Sequence, residues 1–369
     1  MTRTQILHAT VMIFMLTTAT VGLTACGSGG KDNDATASTE EPAGKSKKAP
    51  KSKKKASGDG LDLNALPSIT RNAKVVEFID AIAAGCTINE KSGQAYSCKA
   101  KEGSNMRDWT RKEEPGDLYE TLADIALKDG GKKEAAAIAQ MHNLWSTKGD
   151  DWKRKNATKA ATARLFKYLK DHTDSPDPKM SKIAIFSTHM GMINGLQKQL
   201  FPMIEALKNT QARNQAYANY MTFGRLTGFE ELKRITSKSK DADVIQAALQ
   251  APRNMYKDTD KEKAAYCPWA EAYMGNTDLK IASKAGYVMV KCKGKYIDTL
   301  IDEGEKRVKA GEFKPPLSAV YREPCFQFMR GVTDKAAREK QCERLYGFLQ
   351  GVADNASIDS KVRGLSLWN

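Results

Sequence analysis

Histidine is scarce in this chain of 369 residues, which contains four histidines. The motifs H-E-x-x-H, G-x-S-x-G and G-x-G-x-x-G do not occur in it. The only approach to a Walker loop, Gly130-Gly131-Lys132-Lys133, lacks the first glycine and the final hydroxyl residue of a phosphate-binding loop. We therefore expect no catalytic residue and no cofactor.

Long apolar runs and paired cysteine motifs are also lacking. The mean hydropathy of -0.55 excludes a protein with many membrane spans. No C-x-x-C pair and no cysteine with a nearby histidine occurs, so a structural metal site is not expected. The 59 Lys and Arg residues exceed the 44 Asp and Glu residues and give a net charge of +15, which favours contact with anionic surfaces.

The N-terminal segment has the pattern of an export signal. Arg3 precedes an apolar stretch from Ile6 to Leu23, which is short for a membrane-spanning helix. The stretch ends in Leu23-Thr24-Ala25-Cys26, which resembles the lipobox of bacterial lipoproteins. The resemblance implies a signal peptide over residues 1-25 and an acylated Cys26 that anchors the mature chain in the cell envelope. The glycine after this cysteine is typical of Gram-negative lipoproteins sent to the outer membrane.

Residues 26-60 are predicted to be a disordered tether, because almost no large apolar residue occurs between Gly27 and Gly60. As a flexible coil it would span about 30 Å. Its lysines suggest two interpretations, a weak contact with a polyanion or a solvated spacer that self-repulsion keeps extended. These lysines are Lys45, Lys47, Lys48, Lys51, Lys53, Lys54 and Lys55.

The six remaining cysteines are expected to form disulfides, since export places them in an oxidising compartment. They fall along the chain as three separate pairs, and local loop closure favours joining each pair internally. The pairs are Cys86 with Cys98, Cys267 with Cys292, and Cys325 with Cys342. The first pair would close a small stapled loop or hairpin near the N-terminal end of the folded part.

From Leu61 onward, apolar residues recur at helical spacing, so the fold is predicted to be all-α. Turns with an acidic or polar residue, a basic residue and then an alanine-rich helix recur at residues 177, 210, 241 and 278, and again at Asp359. Asp359, Val362 and Arg363 resemble the second helix of HEAT repeats. The resemblance implies an α-solenoid of antiparallel helix pairs over residues 155-369, after a helical region over 61-154. An irregular helical bundle is the alternative.

The residues that could take part in catalysis are scattered along the sequence. His142, His172 and His189 are isolated in sequence, and Ser187 lies two positions from His189, which does not face it on a helix. Tryptophans and a methionine-rich stretch are expected to fill the core. The methionines of that stretch are Met180, Met190, Met192, Met203 and Met221.

These observations predict a lipid-anchored α-helical scaffold that binds an envelope protein or an anionic glycan or lipid, without catalysis. The alternative is an envelope hydrolase or glycan-processing enzyme, whose histidines and carboxylates would converge in the fold. A third interpretation is a surface-associated protein held by charge alone. Nucleic acid is not an expected partner, because the chain is predicted to be exported.

Overall fold

The computed structural model describes residues 60-85, 87-89, 95-97, 101-113, 115-255, 257-322 and 335-366. The chain divides into two units, Met1-Ser57 and Gly58-Asn369, and every described residue belongs to the second unit. The second unit is α-helical apart from one short hairpin, so the all-α prediction is confirmed.

The helices are mostly of two to five turns. In chain order, they are α1 Ala73–Gly85, α2 Lys101–Lys112, α3 Leu118–Lys128, α4 Gly131–Thr147, α5 Asp150–Asn156, α6 Lys159–Asp171, α7 Met180–Ile193, α8 Gln197–Ala206, α9 Thr210–Tyr217, α10 Tyr220–Lys238, α11 Ala242–Asn254, α12 Asp260–Glu271, α13 Leu279–Cys292, α14 Lys295–Lys309, α15 Pro315–Ser318, α16 Lys335–Asp354 and α17 Ser360–Ser366, with a 3-10 turn over Ala319–Arg322.

The helices stack in two layers. In the first layer, α4, α7, α10, α12, α14 and α16 each contact the next. In the second layer the order is α3, α6, α8, α9, α11, α13, α15 and α17, and helices adjacent in the chain pack across the layers. Because each helix contacts only close neighbours in sequence, this arrangement is that of an α-solenoid. One continuous apolar core runs from Leu63 to Val362.

Polar caps set where many helices begin. Thr158, Asn209, Asp241 and Asp278 each accept a hydrogen bond from a backbone N–H in the first turn of the following helix. Thr259 forms a full capping box at the start of α12. Each such cap satisfies N–H groups that would otherwise lack a partner, which stabilises the helix by about 1 kcal/mol.

The predicted repeat was wrong in phase at its first position. Asp177 precedes α7, a first-layer helix, whereas Asn209, Asp241 and Asp278 precede second-layer helices. The helix equivalent to α9 in the preceding repeat is α6, which Thr158 caps. The sequence spacing misled because α7 and α8 both intervene between α6 and α9.

Side chains of each repeat also bind the preceding one. In five places an amide or cationic side chain donates a hydrogen bond to a main-chain carbonyl 31 to 39 residues earlier. The pairs are Asn194 with Ala157, Asn209 with Asp177, Asn254 with Ala218, Lys291 with Pro252 and Arg307 with Asn276. These bonds satisfy carbonyls at helix ends and thereby couple successive repeats.

A buried ion pair fastens the first described residues to the second layer. Arg164 is 2% exposed, and its Nε donates to Asp124 at 2.7 Å while its Nη2 donates to the carbonyl of Pro67 at 2.9 Å. Arg71 reaches the other oxygen of Asp124 at 2.9 Å. Burial by itself would raise the pKa of Asp124, but hydrogen bonds from Lys128, Arg164 and Arg71 lower it to about 2.

A kink interrupts α10 near its start. Arg225 has φ +50° and ψ -131°, a conformation that side-chain-bearing residues rarely adopt. Its guanidinium donates to the carbonyl of Lys257, which holds the kinked segment against the following loop. Three residues later, a Cβ on Gly228 would lie 2.1 Å from the carbonyl oxygen of Tyr220, so only glycine fits there.

The described cysteines agree with local pairing. Cys267 and Cys292 form a disulfide that joins α12 to α13, with their Cα atoms 6.0 Å apart. Cys342 is also disulfide-bonded. Cys86, Cys98 and Cys325 lie outside the described residues, so the two other pairings stay predictions.

The N-terminal hairpin is present. Strand β1 (Thr87–Asn89) pairs antiparallel with β2 (Ala95–Ser97), and Thr87 lies opposite Ser97. These two residues are the sequence neighbours of Cys86 and Cys98. Within the part of the chain that the structure describes, no helix is both long and apolar enough to span a bilayer.

Candidate functional site

Aromatic and basic side chains gather on the first layer, around α4, α5, α7 and α10. We call this group the aromatic–basic cluster. Its aromatic members are Trp145, Phe186, His189 and Phe223, and its basic members are His142, Lys153, Arg154 and Lys182.

Helical spacing explains how two of these helices present their residues. On α7, Lys182, Phe186 and His189 lie at positions i, i+4 and i+7, and therefore share one face. On α4, His142 and Trp145 are three positions apart and share another. Because α4 and α7 are neighbours in the first layer, the two faces meet.

His189 lies at the centre of the aromatic rings. Its imidazole is nearly parallel to the indole of Trp145, with ring centroids 5.8 Å apart, and meets Phe223 edge to face at 5.1 Å. The ring of Phe186 meets Trp145 edge to face at 6.1 Å. The three aromatic partners and His189 are all buried. The rings are thus fixed in position by one another.

The hydrogen bonds of His189 define its protonation. Asn219 donates from Nδ2 to the carbonyl of Gln215, so its Oδ1 faces His189 Nε2 at 3.3 Å. Nε2 therefore carries the proton, and Nδ1 of the neutral ring is an acceptor. Burial lowers the pKa of His189 to about 3, aided by the nearby positive charges of Lys153 and His142. The ring is consequently neutral at pH 7.

Two buried polar atoms of the cluster have no hydrogen-bond partner among the described residues. They are Nδ1 of His189, an acceptor, and Nε1 of Trp145, a donor. Their residues are 7% and 4% exposed. A buried polar atom without a partner costs about 1–3 kcal/mol, so a group that hydrogen-bonded these atoms would remove that cost.

The basic side chains of the cluster lack close carboxylates. Within the described ranges, Lys182, Arg154 and His142 make no ion pair, and Lys153 reaches only Asp150, at 3.8 Å. Lys182 is 8% exposed, and burial lowers its pKa. Arg154 lies over the ring of Phe223, with its guanidinium carbon 5.4 Å from the ring centroid.

This arrangement suits recognition of a negative charge. Lys182, a buried cation without a carboxylate partner in the described ranges, creates a positive potential that an anionic group would relieve. Acid–base chemistry has less support, since neither His142 nor His189 hydrogen-bonds a carboxylate within the described part of the chain. The structure therefore brings together two of the three histidines but supplies no acid partner for them there.

His172 lies apart from the cluster, at the end of α6. Its ring stacks on Tyr168 at 4.2 Å, and its Nδ1 is 3.0 Å from the carbonyl oxygen of the same residue. The hydroxyl of Tyr168 donates to Glu134, which also pairs with Lys179 at 2.9 Å. These contacts close the C-terminal end of α6 against the start of α4, so His172 has a structural role.

The other residues considered from the sequence mostly fill the core. Trp109 packs on Phe78, and Trp269 packs on Phe229. Of the methionine-rich stretch, all but Met203 are buried, which confirms their assignment to the core.

Several predicted sites have no structural account. Cys26 and the tether lysines lie outside the described residues. No group of three or more potential metal ligands occurs among the residues that the structure describes.

One sequence signal could have indicated the cluster. Lys182 lies in a helix without acidic residues, has none three or four positions away, and is followed by His189 on the same face. Phe223 and Arg154 gave no such signal, because only the packing of α10 beside α7 and the contact of Arg154 with Phe223 bring them close.

Comparisons of the chain with protein-family models, with curated proteins and with solved structures find no match. The residues and their geometry are therefore the only support for a function.

Proposed function

We propose that this chain is a lipid-anchored α-helical scaffold of the bacterial cell envelope that binds a protein or an anionic polymer and catalyses no reaction. The aromatic–basic cluster carries the binding part of this proposal, because on one layer of a solenoid it holds a buried lysine, Lys182, without a carboxylate partner in the described ranges. Solenoids commonly bind partners through such continuous faces, which successive helices form.

The anchoring part rests on the sequence. The lipobox-like Leu23-Thr24-Ala25-Cys26 and the polar segment after it favour an acylated N-terminus and a tether. Acyl chains contribute about 0.8 kcal/mol per buried methylene, so several chains hold a protein firmly in a bilayer. The glycine after Cys26 favours the outer membrane of a Gram-negative organism as the location.

The chain enters the folded unit away from the aromatic–basic cluster. Leu61 exchanges two hydrogen bonds with the side chain of Gln199 on α8, at 2.8 and 2.9 Å. Farther along, Pro67 accepts a hydrogen bond from Arg164 on α6, and the backbone N–H of Asn72 donates one to Thr121 on α3, both in the second layer. The aromatic–basic cluster belongs to the first layer, so the first described residues do not cover it.

The hydrolase alternative has one observation in its favour, the proximity of His142 and His189. A general base works best with a pKa near the working pH, whereas burial lowers the pKa of His189 to about 3. Neither histidine has a hydrogen-bonded carboxylate in the described ranges to orient it. Binding therefore explains the site with fewer additional requirements than hydrolysis.

Affinity capture tests the proposal directly. The mature chain would be recovered from gently crosslinked envelopes, with parallel washes at low and high salt, and the captured proteins and glycans identified. We expect a discrete partner that survives high salt. Recovery of phosphate-rich polymer alone, lost at high salt, would support the charge-only interpretation instead, because counterion release makes such binding strongly salt-dependent.

Anchoring is tested by labelling with a radioactive fatty acid and by fractionation. The native chain should incorporate label and sediment with membranes, whereas a Cys26→Ser variant should do neither. A native chain without label would contradict the lipoprotein assignment. Hydrolysis of an envelope glycan by the purified chain, abolished by His189→Gln, would replace the scaffold with the enzymatic alternative.

A further inference from the structure

We infer that the aromatic–basic cluster is a binding site for an acidic sugar, that is, a saccharide unit with a carboxylate or phosphate group. This inference deepens the proposed binding function and rests on it. It names the ligand class and places the contact on α4, α5, α7 and α10 rather than on the lysine-rich tether.

The positive charge of Lys182 is the reason to infer an acidic group on the ligand. Lys182 is 8% exposed and makes no ion pair with a carboxylate in the described ranges, and its charge also lowers the pKa of the nearby His142. An anion at this position would pair with Lys182 and offset the repulsion among the cations. Arg154 is exposed at the edge of the cluster and provides a second, mobile donor.

The two buried atoms without partners are the reason to infer hydroxyl groups on the ligand. His189 Nδ1 accepts a hydrogen bond and Trp145 Nε1 donates one. A carboxylate only accepts, so an acidic peptide side chain would satisfy the indole but leave the imidazole without a donor. A sugar hydroxyl both donates and accepts, and therefore matches both atoms.

The aromatic rings of the cluster are the third feature that favours a sugar. Sugars present apolar C–H faces that pack on aromatic rings, and Trp145, His189 and Phe223 form a rigid group of such rings. The rings are buried, and the exposed side chain of Arg154 lies over Phe223, so binding at the rings requires this side chain to move aside. Exposed side chains change rotamer within nanoseconds, so this movement is fast.

The test is titration of the full-length chain with defined probes, followed by tryptophan fluorescence and calorimetry. Oligogalacturonate carries carboxylates, and deacylated lipopolysaccharide carries phosphates, so these two distinguish the acidic group. Maltoheptaose supplies a neutral sugar, and oligoglutamate supplies an acidic peptide. We expect saturable binding of at least one acidic glycan that is at least tenfold tighter than binding of maltoheptaose or oligoglutamate.

Lys182→Met should weaken that binding about tenfold, because it removes one charge-assisted hydrogen bond. Lys284→Met is the matched control. Lys284 is half-buried with a lowered pKa, but it lies on α13 in the second layer and binds the side chain of Gln250. Replacement of the seven tether lysines by glutamine should also leave binding unchanged. Thermal melting confirms that each variant is folded.

Three results would overturn the inference. They are no saturable binding of either acidic glycan, equal binding of oligoglutamate, and an affinity that Lys182→Met leaves unchanged. If the native chain and Lys182→Met captured a partner from envelopes equally well, the scaffold function would be supported and the acidic-sugar site would be refuted. Failure to capture any partner would instead remove the scaffold function itself.

Discussion

Acid should destabilise this protein through His189 well before its carboxylates titrate. Burial lowers the pKa of the folded imidazole to about 3, whereas an exposed histidine titrates near 6.5. Below pH 6.5, His189 therefore binds a proton in the unfolded chain but stays neutral in the folded chain. The free energy of unfolding is fully preserved above pH 6.5 and falls as the pH falls toward 3.

The magnitude follows from the two pKa values. Linkage predicts a loss of about 2 kcal/mol between pH 7.5 and pH 5, and about 3 kcal/mol by pH 4. The lowered pKa of His142 acts in the same direction. Asp124, whose pKa is about 2, contributes only below about pH 4, so the loss between pH 6.5 and pH 4 is free of its contribution.

Urea unfolding at pH 7.5, 6, 5 and 4.5 measures this dependence. In His189→Gln, which cannot titrate but retains an amide that can reach Asn219, the loss between pH 7.5 and 5 should be smaller by about 2 kcal/mol. His172→Gln serves as the control, since His172 lies outside the cluster at the end of α6. An identical pH dependence in the native chain and in His189→Gln would refute the assignment of a buried, neutral imidazole.

Three further predictions concern the scaffold, each read from urea unfolding at pH 7.5. Arg164→Met should lower the free energy of unfolding by about 3 kcal/mol, since it leaves a buried carboxylate with fewer partners; a change under 1 kcal/mol would contradict this. Replacing Cys267 and Cys292 by serine should cost about 3 kcal/mol, and reductant, which also opens the disulfide of Cys342, should cost the native chain at least as much. Gly228→Ala should cost about 2 kcal/mol because its Cβ has no room. Gly347→Ala, in open space on α16, should instead add about 0.5 kcal/mol, and equal effects at the two glycines would refute the steric argument.

Helix content and many helix starts were predictable because their causes are local. The apolar spacing along α7 and the acidic cap before α13 act within a few residues of themselves. The Cys267–Cys292 pairing was predictable for the same reason, since a short helical turn brings the two segments together. The repeat phase was not predictable, because nothing local to Asp177 shows to which layer the following helix belongs.

The candidate site depended on long-range packing. His142 and His189 are far apart in sequence, and each by itself resembles an ordinary histidine on a helix. Contacts between α4 and α7 bring them together, and the kinked start of α10 places Phe223 against His189. A kink that needs a positive φ at an arginine cannot be deduced from residue preferences.

The sequence by itself determined that the chain folds into amphipathic helices, because hydrophobic periodicity and caps act over one or two turns. Only the tertiary structure decided that the helices form two stacked layers, and that basic side chains gather around a buried imidazole on one of them. The physical reason is that burial, ion pairing and pKa depend on which distant side chains exclude water from a group. That set of neighbours exists only after the layers have packed.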